Sequence, residues 1–395
     1  MRRWSIKYIK IMRKVKLQMQ VSVDGFVGSG MERLIDMQLN YPLLASQDVE
    51  FAELLRVAIS EVGILSALVP TGGRMEDKEI GAEWLSQEGF AVSPMSVHLA
   101  SGGHHATLAA LLACRLANKT IVVEELTYSN FLGMAAMLNI KLLPCPTDAL
   151  GIKPDAFREV CTKHQAKFGR VPEALYIMAT VNNPTGTVLP LDRRQNIAGI
   201  ARAMDMLIIE DDAYGFLEEK VLPNFFHLAP ERSFYVYSFS KPLTRGIKIG
   251  YLLAPAAFEV AVKEALRLSA TNIPLLYTSL LNIYIGTGRM KKIIGEKQRE
   301  GHRRQQIARA LLSDHPTLGH VNGWHLWLSL PDGLTATALH TRMQERGVLV
   351  SPSTSYSVRA PAYDGAIRIA LGGEPEMDRV VEGIRLILHE FADGL

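Results

Sequence analysis

Residues 234–255 read FYVYSFSKPLTRGIKIGYLLAP. Two apolar runs, 234–240 and 249–255, flank a short polar loop. Runs of this length suit a buried strand, whereas a helix needs about ten residues or more. The first run ends on Ser240-Lys241, and the second is entered through Gly246-Ile247-Lys248-Ile249-Gly250. Ligands of open α/β sheets bind beyond the carboxyl ends of the strands. A lysine directly after a strand is therefore a candidate for chemistry.

The pattern repeats upstream. Apolar runs occur at 97–101 (VHLAS), 120–125 (TIVVEE), 141–146 (KLLPCP), 174–180 (ALYIMAT) and 206–211 (MLIIED). Helical stretches such as HATLAALLACRLA and SNFLGMAAMLN lie between them. Short buried runs alternating with helices predict parallel strands in an α/β sheet. From about 256 the pattern changes to long amphipathic helices. A smaller α+β segment follows, with strands at 324–331 (WHLWLSLP), VLVSP and AIRIAL, and a last helix from about 375. The expected fold class is α/β, with a mostly parallel central sheet in a large domain plus a smaller α+β domain. The expected divisions are a basic extension over 1–34, a segment contributing to the small domain over 35–66, a large domain over 67–285, and a small domain over 286–395.

Composition narrows the function. The chain has 395 residues, 48% hydrophobic and 21% charged, which fits a globular protein and not a disordered one. No run of 18 apolar residues is present, so no membrane partner is expected. Cys114, Cys145 and Cys161 have no metal-type spacing, so no metal is expected. An odd, sparse set of thiols fits a reducing, cytoplasmic setting. The net charge of +3 is uneven, because seven of the first 16 residues are Lys or Arg. Without those seven the remainder carries −4, which argues against nucleic acid as a partner. The basic start reads as a solvated tail and lacks the apolar core of a secretory signal. Within it, residues 12–28 (MRKVKLQMQVSVDGFVG) are similar to the opening strand of dihydrofolate-reductase-like reductases, but nothing later continues that pattern.

The residues after each strand form an ordered set. They are SGGHHATL (101–108), EELTYSNF (124–131), NNPTGTVLPLDRR (182–194), IIEDDAYGFL (208–217) and SFSKPLTRGIKIGYLLAP (238–255), followed by WHLWLSLP, GVLVSP and IRIAL. Singly each reads as a turn or a strand end. Together, over about residues 35–392, they resemble the class I/II aminotransferases of the fold-type I pyridoxal-phosphate (PLP) enzymes. The branch they resemble is that of the aminoadipate and kynurenine aminotransferases and the aminotransferase-like part of MocR regulators.

The resemblance implies PLP as cofactor, held as a Schiff base by Lys241, whose freed amine then moves a proton at the substrate. It implies that Asp211 keeps the cofactor ring nitrogen protonated. Tyr214 and Asn183 fall where the family hydrogen-bonds the cofactor's phenolic oxygen, and Tyr128 where an aromatic ring stacks on it. Gly103 and His104 would give backbone N–H groups to the phosphate, with hydroxyls from Ser238 and Ser240 and a charge from Lys248. Arg368 matches the arginine that grips the substrate carboxylate. Asn40 and Tyr41, with Asn183, would lie against the substrate. A homodimer is also implied.

The sequence departs from the family at several of these places. Lys248 stands where an arginine is usual and loses its bidentate fork. Leu68 replaces a tyrosine that reaches the partner subunit's phosphate. Asn40-Tyr41-Pro42 replaces Gly-x-Pro, and Ser353 replaces a glycine. Trp324, Trp327 and Tyr356 read equally well as pocket or core. The expected function is a PLP-dependent aminotransferase acting on a non-standard amino acid in specialised biosynthesis. The alternatives are a PLP-dependent lyase, cyclase or carbon–carbon bond-forming enzyme on the same fold, and a PLP-sensing regulator. The roughly 34 residues ahead of the match are expected to be too few for such a regulator's winged-helix part.

Overall fold

A computed structural model describes residues 34–44, 47–60, 63–64, 66–359 and 363–393. The basic stretch and the reductase-like residues 12–28 lie outside them.

Seven strands form the main sheet: β1 (Val97–Ala100), β2 (Thr120–Glu124), β3 (Lys141–Cys145), β4 (Ala174–Ile177), β5 (Leu207–Asp212), β6 (Ser233–Ser238) and β7 (Gly250–Leu253). Their lateral order is β1-β7-β6-β5-β4-β2-β3. Every strand but β7 runs the same way, and β7 is antiparallel to both its neighbours. The expectation of a parallel strand at 249–255 is corrected here. The loop from β6 to β7 contains no helix, and a parallel return needs a crossover of a dozen residues or more. Gly250 is needed at the start of β7, because a Cβ there would sit 2.7 Å from the Tyr237 carbonyl oxygen.

Burial explains the apolar runs. β1, β2, β4, β6 and β7 are buried along their whole length. Successive side chains point to opposite faces. Ile121, Val123, Tyr176, Ile209, Val236 and Leu252 pack on one face with helix α1 (Gly103–Ala113). Val122, Leu175, Ile177 and Ile208 pack on the other with Phe157, Ile197 and Ala198. Edge strand β3 is only partly covered. Beneath β5, Glu210 lies 3.6 Å from Arg194, both side chains wholly buried. A buried charge is tolerated only with such a partner.

The smaller layer is an antiparallel sheet of β8 (Thr317–Leu318), β9 (His325–Ser329), β10 (Ser351–Pro352) and β11 (Ala366–Ala370), in the order β8-β9-β11-β10. Helices α2 (Arg289–Leu311) and α3 (Met377–Asp393) pack on it through Ala308, Leu312, Val380, Ile384 and Ile387. The N-terminal strand Ile35–Asp36 lies beside Val348–Leu349 in parallel register. Asp36 also donates its backbone N–H to Glu374 at 2.8 Å. Helix Gln47–Ile59 instead packs with Leu280 and Leu281, against the large sheet's own helices. The 35–66 segment thus divides between the two layers. Among the described residues no helix is long and apolar enough to cross a membrane.

Candidate active site

A cavity of about 270 Å³ opens where the carboxyl ends of the parallel strands face the smaller layer. Tyr41, Gly103, His104, Tyr128, Asn183, Asp211, Tyr214, Ser238, Ser240, Lys241 and Lys248 all line it. They come from six separate parts of the chain, most of them strand ends, and the sheet brings them together.

One end is built for an anion. Gly102 caps α1 with φ +85°, a left-handed backbone that suits glycine. A Cβ on Gly103 would lie 3.1 Å from the Ser238 Cβ, inside the cradle. The first N–H groups of α1 are unpaired within the helix and its dipole favours negative charge. Ser238, Ser240 and the exposed Lys248 complete this end. Of the two histidines, His105 turns away, its Nδ1 accepting from the Ser101 N–H at 2.9 Å. His104 faces the cavity, with its Nε2 2.5 Å from the Tyr128 hydroxyl. Burial, helped by Lys241 and Lys248, holds its pKa below the usual range.

The other end holds a carboxylate. Asp211 is next to last in β5 and is 5% exposed. Burial pushes its pKa up to about 6, although the Tyr176 hydroxyl, donating at 2.8 Å, opposes the shift. Tyr176 stacks on Phe131 with ring centroids 3.5 Å apart. Asp212 points elsewhere, accepting from the Tyr235 hydroxyl at 2.5 Å and the Gly215 N–H at 2.6 Å.

Lys241 lies between these ends. Its Nζ donates to the Asn40 carbonyl at 2.6 Å and sits 3.5 Å from the Tyr41 ring centroid. The Tyr214 ring centroid is 5.5 Å away, and its hydroxyl donates to the same carbonyl at 3.4 Å. Burial first, then the charges of Arg368, Lys248 and Lys297, pull the Lys241 pKa well below the ordinary lysine range. A neutral amine is a nucleophile and a base. Lys297 on α2 fixes the loop by donating to the Lys241 carbonyl at 3.0 Å and the Leu243 carbonyl at 3.1 Å.

Arg368, on β11, reaches the cavity through Asn183. Its Nη1 donates to Asn183 Oδ1 at 2.8 Å, and its Nη2 donates to the Gln38 carbonyl. Among the described residues its Nε is buried without a partner. Arg368 is not itself among the residues lining the cavity, but a buried guanidinium N–H without a partner is a place for an anion.

One expected position reads differently in the structure, and an open reading of two tryptophans is decided. Asn40 does not show its side chain to the cavity. The amide is buried against His325, its Nδ2 2.9 Å from the ring Nδ1; among the described residues its Oδ1 has no hydrogen-bond partner. Trp324 and Trp327 are core: Trp324 is wholly buried with its indole N–H on the Lys297 carbonyl at 3.0 Å. Trp327 packs with Leu126, Tyr356 and Ala366. Ser353 is buried, its hydroxyl donating to the Tyr363 carbonyl at 2.8 Å. Leu68 is 83% exposed. Tyr176, His325 and Lys297 lie inside strands or a helix, and no motif in the sequence marks them. No group of three or more metal-ligating side chains gathers among the described residues.

The residues present fit PLP. An anion cradle that any Cβ on Gly103 would crowd, an amine, and a buried carboxylate lie along one cavity. They match the phosphate, the aldehyde and the ring nitrogen of that molecule.

Comparison with known proteins agrees. The family model "Aminotransferase class I and II" matches residues 33–384. The 2-aminoadipate transaminase of Thermus thermophilus is 25% identical over 331 residues, covering 80% of this chain and 79% of that protein. An uncharacterised HTH-type transcriptional regulator of Bacillus subtilis is 23% identical over 325 residues, covering 82% of this chain and 69% of that protein. Among solved structures, an archaeal alanine:glyoxylate aminotransferase superposes with a TM-score of 0.83 at 22% identity, covering 96% of this chain and 95% of that one. The α-aminoadipate aminotransferase LysN of Thermus thermophilus, complexed with N-(5'-phosphopyridoxyl)-L-leucine, gives 0.79 at 22% identity, covering 91% and 92%. At these identities the structural likenesses speak to the fold.

Proposed function

The chain belongs to the class I and II aminotransferases, a family of PLP-dependent transferases, and from that premise we propose that it moves the amino group of an uncommon α-amino acid to a 2-oxo acid. The observation that carries the proposal is the half-buried Lys241 amine, which lies between an anion cradle and a buried carboxylate.

Bound PLP supplies an aldehyde carbon for amine exchange and a ring that accepts the electron pair released at the substrate Cα. The chain supplies the rest. Gly103, His104, Ser238, Ser240 and Lys248 hold the phosphate through N–H, hydroxyl and ammonium groups. Asp211 keeps a proton on the ring nitrogen, and the opposite charge there favours its ionised form. Tyr176 holds that carboxylate in place by its hydrogen bond. Asn183 and Tyr214 would donate to the phenolic oxygen, Tyr214 by turning from the Asn40 carbonyl, and Tyr128 would cover one face of the ring. Lys241, with its depressed pKa, would take the proton from the substrate Cα. Arg368 receives the substrate carboxylate on the edge carrying its unpaired Nε.

The uncommon substrate is supported by the Tyr41 side chain, which occupies cavity wall beside Lys241. A homodimer is inferred from the family alone, since Leu68 lacks the hydroxyl that would reach a partner subunit. Small amino and oxo acids are then the partners, without nucleic acid or membrane.

The test is a visible spectrum of the purified protein with PLP before and after a panel of amino acids, with Lys241→Ala as control. An absorption band that Lys241→Ala lacks, and that an uncommon donor bleaches to the amine form, is expected. Ordinary efficiency with a common amino acid and 2-oxoglutarate would overturn the substrate claim. A product formed without amino exchange would replace transamination by a lyase or cyclase reaction.

A further inference from the structure

His325 has no role in the reading above. It is wholly buried on β9, and its ring joins three parts of the chain. Its Nε2 lies 3.1 Å from the Asn182 carbonyl oxygen, in the loop after β4. Its Nδ1 lies 2.9 Å from the Asn40 Nδ2, in the segment after Ile35–Asp36. The Tyr214 ring is tilted against it, centroids 5.6 Å apart.

These contacts fix one tautomer. A carbonyl can only accept, so Nε2 carries the proton. Nδ1 is then an acceptor, and the Asn40 amide N–H supplies the donor. A protonated ring would set an N–H against that N–H. Burial, with the charge of Arg368 adding to it, pushes the ring's pKa down to about 3 and keeps it neutral. The anchor at the far side is firm. The Asn182 Nδ2 donates to buried Glu124 at 2.9 Å, and its Oδ1 accepts from the Thr185 N–H at 3.1 Å and hydroxyl at 2.9 Å.

The near side reaches the chemistry. The Asn40 carbonyl accepts from Lys241, and the Tyr41 ring lies over that amine. Two residues earlier, the Gln38 carbonyl accepts from Arg368. An amino acid placing its nitrogen beside Lys241 and its carboxylate on Arg368 meets all three groups.

We propose that His325 is a positioning residue: through Asn40 it sets how residues 38–41 present two carbonyl oxygens and the Tyr41 ring to Lys241 and Arg368, and so decides which amino donors enter. The proposal rests on the roles given to Lys241 and Arg368 above. Once the Lys241 nitrogen is engaged, the Asn40 carbonyl is left as an acceptor for the donor's own N–H. Its position then depends on the bond from Asn40 to His325.

The test compares His325→Phe, which keeps the volume and loses both hydrogen bonds, with His325→Gln, whose amide can both donate and accept. In His325→Phe the KM for the donor is expected to rise about tenfold, with kcat within about threefold. His325→Gln is expected to restore KM. A second readout needs no activity. Amide hydrogen exchange over residues 36–44 of the cofactor-free protein is expected to quicken in His325→Phe and Asn40→Ala, and to stay near wild type in His325→Gln. Phe and Gln variants equally impaired would reduce His325 to a space-filling residue and overturn the proposal. So would unchanged KM and exchange in the Phe variant. A wild-type protein that binds no PLP would sink the proposed function instead, while the exchange comparison still decides the anchor. If His325→Phe does not fold, Asn40→Ala carries both measurements.

Discussion

Arg368 donates to Asn183 across 2.8 Å, and this bond ties β11 of the smaller layer to the loop behind β4 of the larger one. The group proposed for the substrate carboxylate and the group proposed for the cofactor's phenolic oxygen are thereby one unit. The Gln38 carbonyl holds the guanidinium from a second side, so its orientation is set before any ligand arrives.

Arg368→Lys therefore tests the fork and not merely the charge. Hydrogen bonds to charged groups contribute about 1.5–3 kcal/mol, so kcat/KM for the donor is expected to fall about 10- to 100-fold. Arg368→Ala is expected to fall further, with most of the loss in KM. Steady-state kinetics with the best donor from the panel check this. An unchanged KM in both variants would remove Arg368 from the substrate site.

Lys241→Ala is expected to lower the transamination rate by about 10³-fold or more, the scale of lost nucleophilic and general-base catalysis. The protein should still bind PLP through the anion cradle. Borohydride reduction followed by peptide mass mapping should label the wild-type peptide at residue 241 and leave the variant unlabelled. A label on another lysine would reassign the attachment.

Lys248 is exposed at the cradle, where a guanidinium would offer a second N–H to an anion. Lys248→Arg is expected to tighten PLP binding severalfold, and Lys248→Ala to weaken it about tenfold. Spectral titration of the cofactor-free protein gives both constants. Equal affinities for all three proteins would place the phosphate elsewhere.

Glu124 is buried with the Met178 N–H and Asn182 Nδ2 on one oxygen, at 3.0 and 2.9 Å. Burial raises its pKa from 4.5 to about 8. A carboxyl raised in the folded state contributes its stability in full below about 4.5 and loses it as pH climbs through about 8. Glu210, raised to about 7, and Asp211, raised to about 6, act in the same direction. The melting temperature of the cofactor-free protein is thus expected to fall between pH 5 and 8. In Glu124→Gln that fall should be shallower by a few degrees. Superimposable melting profiles for the two proteins would contradict the raised value.

Much of the site was legible because the sheet places function at strand ends. Asp211, Lys241 and Asn183 each follow an apolar run, and the cavity gathers them. Other features were not legible. Tyr176 lies within a strand, and its bond to Asp211 depends on β4 lying beside β5. His325 reads as one more position of WHLWLSLP, and only the approach of Asn182 and Asn40 gives it partners. The direction of β7 depends on the missing helix after β6, which an apolar run at 249–255 does not reveal. Asn40 was read as pocket-facing, but a buried imidazole drew its amide the other way.

The seam between Ile35–Asp36 and Val348–Leu349 also governs how the protein is made. Asp36 and Glu374, joined by a hydrogen bond, stand 338 positions apart. A ribosome releases the first partner long before the second exists. Ile35 and Met37, both buried in the finished protein, must wait uncovered while the larger layer assembles. Such a late, long-range closure is slow and exposes apolar chain to aggregation. Expression at reduced translation temperature or with a holding chaperone is the practical consequence. A cut into fragments at residue 285 would leave each half with one unpartnered side of that seam.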